Sequence, residues 1–230
     1  MFHLPIAEIN PLSLINFTGK PACTVFTIGC NLRCRYCYNR SLVLNIAKPL
    51  AFYDITTQLS KTPIRNITIT GGEPLLHSDI LDFVLFLKNK GYKVKLDTNG
   101  TSPKNLFKLL DEKIVDYVAV DIKGFSDGDF KYITRSNYST KYTKDTVNLL
   151  IHFKIPFELR YTVWKIPEKE DLKNFFLDIN CSSPLNIYLQ KIIGLDNFLD
   201  KSFKVDLDIF DLKKTVMELS KFGVVSIRNA

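Results

Sequence analysis

The feature that most constrains this chain is an alternation that runs its whole length. Short segments rich in β-branched and aromatic residues occur at 22–28, 65–70, 92–97, 115–121, 157–163, 185–190 and 223–228. Their composition and length read as buried strands. Between them the apolar spacing changes to that of helices. Ile80, Phe83, Val84 and Leu87 repeat at i, i+3, i+4 and i+7 within 78–90, with Ser78 placed to cap and Gly91 to terminate. Ser102–Pro103 opens a helix carrying Leu106, Leu109 and Leu110, and Val147, Leu150 and Ile151 line a face of 143–153. Leu172, Phe175, Phe176 and Ile179 do so in 168–179, as do Ile209, Leu212, Val216 and Leu219 in 208–221, and 49–60 is a weaker helix around Ile55 and Leu59. Strand and helix in repeated alternation predict an α/β fold of parallel strands joined by right-handed crossovers. A doubly wound sheet and a full or partial barrel both satisfy the pattern. Either one gathers its site at the C-terminal ends of the strands.

The residues just past each predicted strand are therefore informative. The first strand leads into GCNLRCRYCYN, which holds Cys30, Cys34 and Cys37; the second into Gly71, Gly72, Glu73 and Pro74; the third starts the tetrad Asp97-Thr98-Asn99-Gly100. The fourth ends at Asp121, with Lys123 two residues on, and the sixth at Gln190. Each is weak alone. A glycine pair permits a tight turn or close approach of a ligand to the backbone, Asn-Gly is a common turn dipeptide, and Asp121 with Lys123 reads equally as a surface ion pair of little energetic value. Their convergence on one rim beside three thiols carries the argument. Glu73 is positioned to accept from an ammonium group.

Three cysteines at C-x3-C-x2-C fit one loop curled around a small iron–sulfur cluster. Four cysteines complete a 4Fe–4S cluster, so three leave one iron open, and an open position is the mark of a catalytic centre. The alternative is a structural zinc site, which wants a fourth Cys or His nearby; His77, in the next βα unit, is the one histidine near this rim. Cys23, on a strand, and Cys181, standing alone, read as buried structural thiols. Five is an odd number, and nothing marks the chain for secretion, so a disulfide framework is not expected and a reducing, cytoplasmic setting is.

The remaining bounds are broad. A chain of 230 residues buries roughly 70–75% of its unfolded surface without staples, and we expect a single domain over 1–230, with a core over about 20–195 and an added helix and strand over 208–228. The longest uncharged stretches, 21–32 and 179–190, have 12 residues each, short of the ~20 a membrane helix needs, and the start lacks the basic and apolar regions of a signal peptide. The net charge is +7, but Lys and Arg are scattered in sequence, so a nucleic-acid footprint is not indicated; an acidic protein partner suits the same charge.

At C-x3-C-x2-C, with Tyr36 before the last cysteine, and at ITGGEPLL, the chain resembles the radical S-adenosylmethionine (SAM) enzymes. Residues 13–39, SLINFTGKPACTVFTIGCNLRCRYCYN, together with DTNG, DIKG and YLQK, resemble the activating proteins of anaerobic ribonucleoside-triphosphate reductase, among the glycyl-radical-enzyme activases. Asn16-Phe17-Thr18-Gly19 stands where that family often has Asp-Tyr-Pro-Gly. The resemblance covers roughly residues 13–195. It implies a partial (β/α)6 barrel of the radical SAM type, with a 4Fe–4S cluster on Cys30, Cys34 and Cys37 and SAM on the open iron. It further implies that Glu73 and the Gly71–Gly72 backbone hold the methionine amine, that Asp97 and Asn99 line the SAM pocket, that Lys123 meets the SAM carboxylate and that Tyr36 lies near the adenine. Arg160 points to either pocket or solvent. The implied partners are a glycyl-radical enzyme such as anaerobic ribonucleotide reductase and, as electron donor, flavodoxin or ferredoxin. The rival reading is a small-molecule radical SAM enzyme, such as a 7-carboxy-7-deazaguanine synthase-like protein acting on a pterin. Residues 123–142, with Tyr132, Arg135, Tyr138 and Tyr142, lack a clear element and read either as a protein interface or as a mobile surface loop.

Overall fold

A computed structural model of the chain describes residues 2–192, 197–205 and 207–228. The last residues of the resembling stretch, 193–195, lie outside them. The elements in chain order are β1 (Ile6–Phe17), β2 (Lys20–Thr27), α1 (Arg40–Val43), α2 (Phe52–Lys61), β3 (Asn66–Gly71), α3 (Ile80–Asn89), β4 (Lys93–Thr98), α4 (Pro103–Asp111) and β5 (Tyr117–Ile122). They continue with α5 (Asp127–Thr134), α6 (Thr140–His152), β6 (Phe157–Val163), α7 (Lys169–Leu177), β7 (Leu185–Lys191), α8 (Ile209–Leu219) and β8 (Gly223–Arg228). The strands stand in the sheet in chain order from β1 to β8. The fold is thus α/β with a mostly parallel sheet, as the alternation predicts. No helix among the described residues is long and apolar enough to cross a membrane.

The chain divides into two compact units. The first comprises Met1–Asn31, Asn39–Thr98 and Lys104–Val118. Here β2 runs parallel to β3 and β3 to β4, with Val25 opposite Ile69 and Ile69 opposite Leu96. The apolar face of α3, Ile80, Phe83, Val84 and Leu87, is buried, as are Leu106, Leu109 and Leu110 of α4 and Ile55 and Leu59 of α2. Each such side chain contributes on the order of 2 kcal/mol by leaving water. Ser78 does not cap α3; its hydroxyl donates to Asp79, whose carboxylate also accepts from the His3 amide. Gly91, at φ +79°, ends the helix as expected.

One strand of this unit departs from the sequence reading. β1 pairs antiparallel with β2, with register shifts on both sides of Pro11. Proline lacks a ladder donor and is tolerated only on an edge strand or at a bulge, so Pro5 and Pro11 hide the strand from a propensity reading. Asn16 anchors the end of β1. Its side chain donates to Thr24, and its carbonyl accepts from Thr68 and from the buried Lys95 ammonium at 2.6 Å.

The second unit comprises Leu32–Tyr38, Asn99–Pro103 and Ala119–Ala230. β6, β7 and β8 are parallel to one another. Phe125 sits among Tyr161, Phe175 and Phe176 at centroid distances of 5.0–6.0 Å, and Val147, Leu150 and Leu172 are buried. β8 is half exposed, with Val224 and Ile227 open to solvent, where the sequence suggested a buried strand. Glu158, fully buried on β6, is met at both oxygens by the Arg228 guanidinium, which lies 4.1 Å from the Tyr188 ring centroid. The stretch 123–142 is not a loop: α5 fills its centre, capped by Ser126, and α6 begins at Thr140.

Candidate active site

In the first unit the glycine pair is required by the chain's own backbone. A Cβ on Gly72 would lie 1.8 Å from the Gly29 carbonyl oxygen, and one on Gly71, at φ +113°, would lie 2.5 Å from the Thr27 nitrogen. Both glycines therefore let β3 close against the turn that leads into Cys30. That turn is further held by the Gly29 amide on Leu42, the Glu73 amide on Gly29 and the His77 ring on the Ile28 carbonyl at 2.8 Å. Burial lowers the His77 pKa; a neutral ring facing a carbonyl must carry its proton on Nε2, which commits that nitrogen as a donor.

Glu73 is fully buried. Its Oε1 accepts from the Leu75 amide at 3.1 Å and from the Thr98 hydroxyl at 2.8 Å, so the carboxylate is fixed by its own 3-10 turn and by the end of β4. Asp97, on β4, forms an ion pair with Lys95 at 2.9 Å, with Lys95 completely buried.

In the second unit, Cys34 is buried and Cys37 half-buried, and the Cys37 amide closes a turn onto the Cys34 carbonyl at 3.0 Å. The loop is strapped from two sides. The Arg33 and Arg35 amides donate to the last carbonyls of α5, Thr134 and Ile133, while Leu199 and Asp200 donate to the Cys37 and Arg35 carbonyls. Those α5 carbonyls have no partner within the helix, so helix end and loop satisfy each other. The Asn99 side-chain oxygen accepts from the Thr101 amide and hydroxyl at 3.0 and 2.6 Å, setting the entry to α4.

Lys123 and Asp121 are not the surface pair of the bland reading. Asp121 takes the Lys123 ammonium at 3.1 Å on one oxygen and the Arg160 guanidinium at 2.7 Å on the other, and Lys123 and Arg160 are both buried. Burial works against a charged Asp121, but the two cations outweigh it and hold its pKa at about 2. Burial likewise disfavours a charged Lys123, and Asp121 overcomes it, keeping the ammonium protonated. The Lys123 ammonium also lies 5.8 Å from the Tyr36 ring centroid, and burial pushes the Tyr36 phenol well above its ordinary range. Arg160 thus faces Asp121 and not solvent. The signal was present in FELRYTV: Glu158, Arg160 and Thr162 share one face of β6, opposite Leu159, Tyr161 and Val163.

Comparison with known proteins settles the family. The model of the Radical SAM superfamily matches residues 24–179, well over half the chain. The chain belongs to the radical SAM superfamily. Two relatives from Methanocaldococcus jannaschii are named provisionally as glycyl-radical enzyme activating enzymes. One is 35% identical over 119 residues, covering 51% of this chain and 50% of its own length; the other is 27% identical over 160, covering 68% and 59%. The chain thus spans about half the length of these relatives. A 7-carboxy-7-deazaguanine synthase of the same organism is 26% identical over 228 residues, covering 91% and 89%. Among solved structures, Streptococcus suis SuiB bound to S-adenosylmethionine matches at a TM-score of 0.64 and 13% identity over 88% of this chain and 48% of its own. The anSMEcpe protein with bound AdoMet matches at 0.61 and 17%, over 87% and 61%. These neighbours confirm the fold, and a partial barrel is consistent with them.

The cofactors of this superfamily are a 4Fe–4S cluster and SAM. The donor set fits them. Three of the five cysteines fall within eight residues after β2, and none of the five is in a disulfide. Among the described residues no group of three or more His, Cys, Asp or Glu side chains is arranged around a single metal ion; cluster thiolates bind separate irons and need no such group. Cys23 is unlike a ligand, since burial raises its thiol pKa to about 11 and the thiolate is the ligating form. Cys181 is half-buried, with its sulfur on the Ser183 carbonyl, not buried as the sequence suggested.

Proposed function

We propose that this chain is a glycyl-radical-enzyme activase acting on a partner such as anaerobic ribonucleoside-triphosphate reductase, working in the cytoplasm as one domain. The observation that carries the reading is the 35% identity over 119 residues to a protein provisionally named as such an activase. A bound, reduced 4Fe–4S cluster would supply the single electron for reductive cleavage of bound SAM, the chemistry that drives hydrogen-atom abstraction from a substrate.

The chain's residues supply placement and charge. Cys30, Cys34 and Cys37 would each hold one iron. Glu73 would accept from the SAM ammonium, because its turn already orients the carboxylate and a carboxylate accepts at several positions. The Gly71–Gly72 backbone would flank that amine. Lys123 would meet the SAM carboxylate, with Asp121 and Arg160 fixing its charge and position. Tyr36, beside Lys123, would pack near the adenine, and Asp97 and Asn99 would border the same ligand.

A second reading is favoured by a specific observation: the match to the 7-carboxy-7-deazaguanine synthase runs nearly end to end. The discriminating experiment offers anaerobic, reduced, cluster-loaded protein both substrates with SAM. The activase reading expects a glycine-centred EPR doublet on a class III reductase and no turnover of a free pterin. Pterin turnover without a protein radical would transfer the assignment to the synthase.

A further inference from the structure

The +7 charge looks scattered in the sequence, but folding gathers part of it around the cysteine loop. The outer wall of Cys34–Cys37 is built by the end of α5 and by residues 198–204, whose backbone groups hold the loop. On these three short segments stand Arg33, Arg35, Lys131, Arg135, Lys201 and Lys204 against one carboxylate, Asp200. Asp200 is engaged by Arg35 at 2.6 Å and lies 4.0 Å from Arg135. Lys131, Arg135, Lys201 and Lys204 are exposed.

The same segments carry aromatic side chains. Tyr132 is 51% exposed, yet it is fixed. Its ring stacks on Trp164 at 5.7 Å, the Arg35 guanidinium lies 4.5 Å from its centroid, and Phe203 sits at 6.5 Å. Trp164 is anchored in turn by its indole nitrogen on the Lys123 carbonyl at 3.0 Å. A fixed, exposed Tyr backed by Trp and Arg, on segments that carry the exposed cations Lys131, Arg135, Lys201 and Lys204, has the anatomy of a protein interface. Charge of one sign also steers an oppositely charged partner.

We infer that this collar is the docking site for a small acidic one-electron carrier protein, which is oxidised by one electron as the cluster behind the loop is reduced by one. The inference rests on the cluster assignment of the proposed function. One observation favours a carrier over the partner enzyme. The collar is joined through single peptide and hydrogen bonds to the residues flanking Cys34 and Cys37, so a docked carrier stands next to the ligands.

The test uses cluster-loaded full-length protein, reduced bacterial flavodoxin as the probe, and the variant Lys131→Glu/Arg135→Glu/Lys201→Glu. The single variants Lys131→Glu and Lys201→Glu guard against misfolding, and Lys213→Glu/Lys214→Glu on α8 controls for net charge. Flavodoxin affinity of the wild type is expected to fall at least tenfold between low and physiological salt. The triple variant should bind at least tenfold more weakly at low salt, with cluster content and dithionite-driven SAM cleavage unchanged. Unchanged flavodoxin affinity in the triple variant, or an equal loss in the α8 control, would overturn the inference. So would intact flavodoxin binding with lost radical transfer to a class III reductase, which would make the collar the substrate interface. Absence of dithionite-driven SAM cleavage in the wild type would defeat the proposed function itself.

Discussion

Gly72 has no room for a side chain, and that fact ties a fold requirement to a site requirement. Because the obstruction is the Gly29 carbonyl and not a flexible side chain, Gly72→Ala must displace the turn before Cys30. We expect a loss of about 3 kcal/mol or more in chemical denaturation, together with reduced iron content. The cysteines separate by role: Cys30→Ala, Cys34→Ala or Cys37→Ala should each abolish cluster assembly, read by iron and sulfide content. Cys23→Ser should keep the cluster and lose about 1–3 kcal/mol, because a hydroxyl replaces a thiol in a site fully shielded from solvent. Asp121 supplies a pH test. Its folded pKa, about 2, lies below the ordinary carboxylate value, so its contribution is present above about pH 4 and lost as pH falls toward 2. The stability difference between wild type and Asp121→Asn, on the order of 2 kcal/mol at neutral pH, should shrink across that window; a constant difference down to pH 2 would refute the ion-pair account.

At the scale of elements, the parallel strands and the core faces of α2, α3, α4 and α7 were legible because periodicity and β-branching reflect burial directly. The boundaries at 157–163 and 223–228 match β6 and β8. β1 was not legible, since Pro11 within it and Pro5 just before it contradict strand propensity and only the pairing with β2 overrides them. Nor was α5, whose eight residues are too few for a clear helical period. α5 matters beyond its size because its last carbonyls receive the cysteine loop and its Tyr132 carbonyl accepts from Arg35. Arg35→Ala removes that bond, the Asp200 pair and the ring contact at once. The expected result is a folded protein that loses iron several-fold faster to a chelator; an unchanged release rate would show that the strap does not restrain the loop. Among the candidate site residues, the rim positions and the Asp121–Lys123 pair were visible as a pattern, whereas the burial of that pair and its completion by Arg160, 39 residues on, were not, because sequence separation hides which polar groups satisfy one another.

For the whole molecule, the family is fixed by the matched superfamily domain and the shared fold, and the substrate is what the proposal adds. Family-level features cannot separate an activase from a synthase: both classes of relative align to this chain, and the residues proposed to handle the cluster and SAM would serve either. The source of the abstracted hydrogen does separate them. The most direct measurement supplies a class III reductase grown with α-deuterated glycine to the reduced, cluster-loaded protein with SAM, then weighs the 5′-deoxyadenosine formed. The account predicts one deuterium in that product for each glycyl radical recorded by EPR. Undeuterated 5′-deoxyadenosine, with no radical on the reductase, would contradict it.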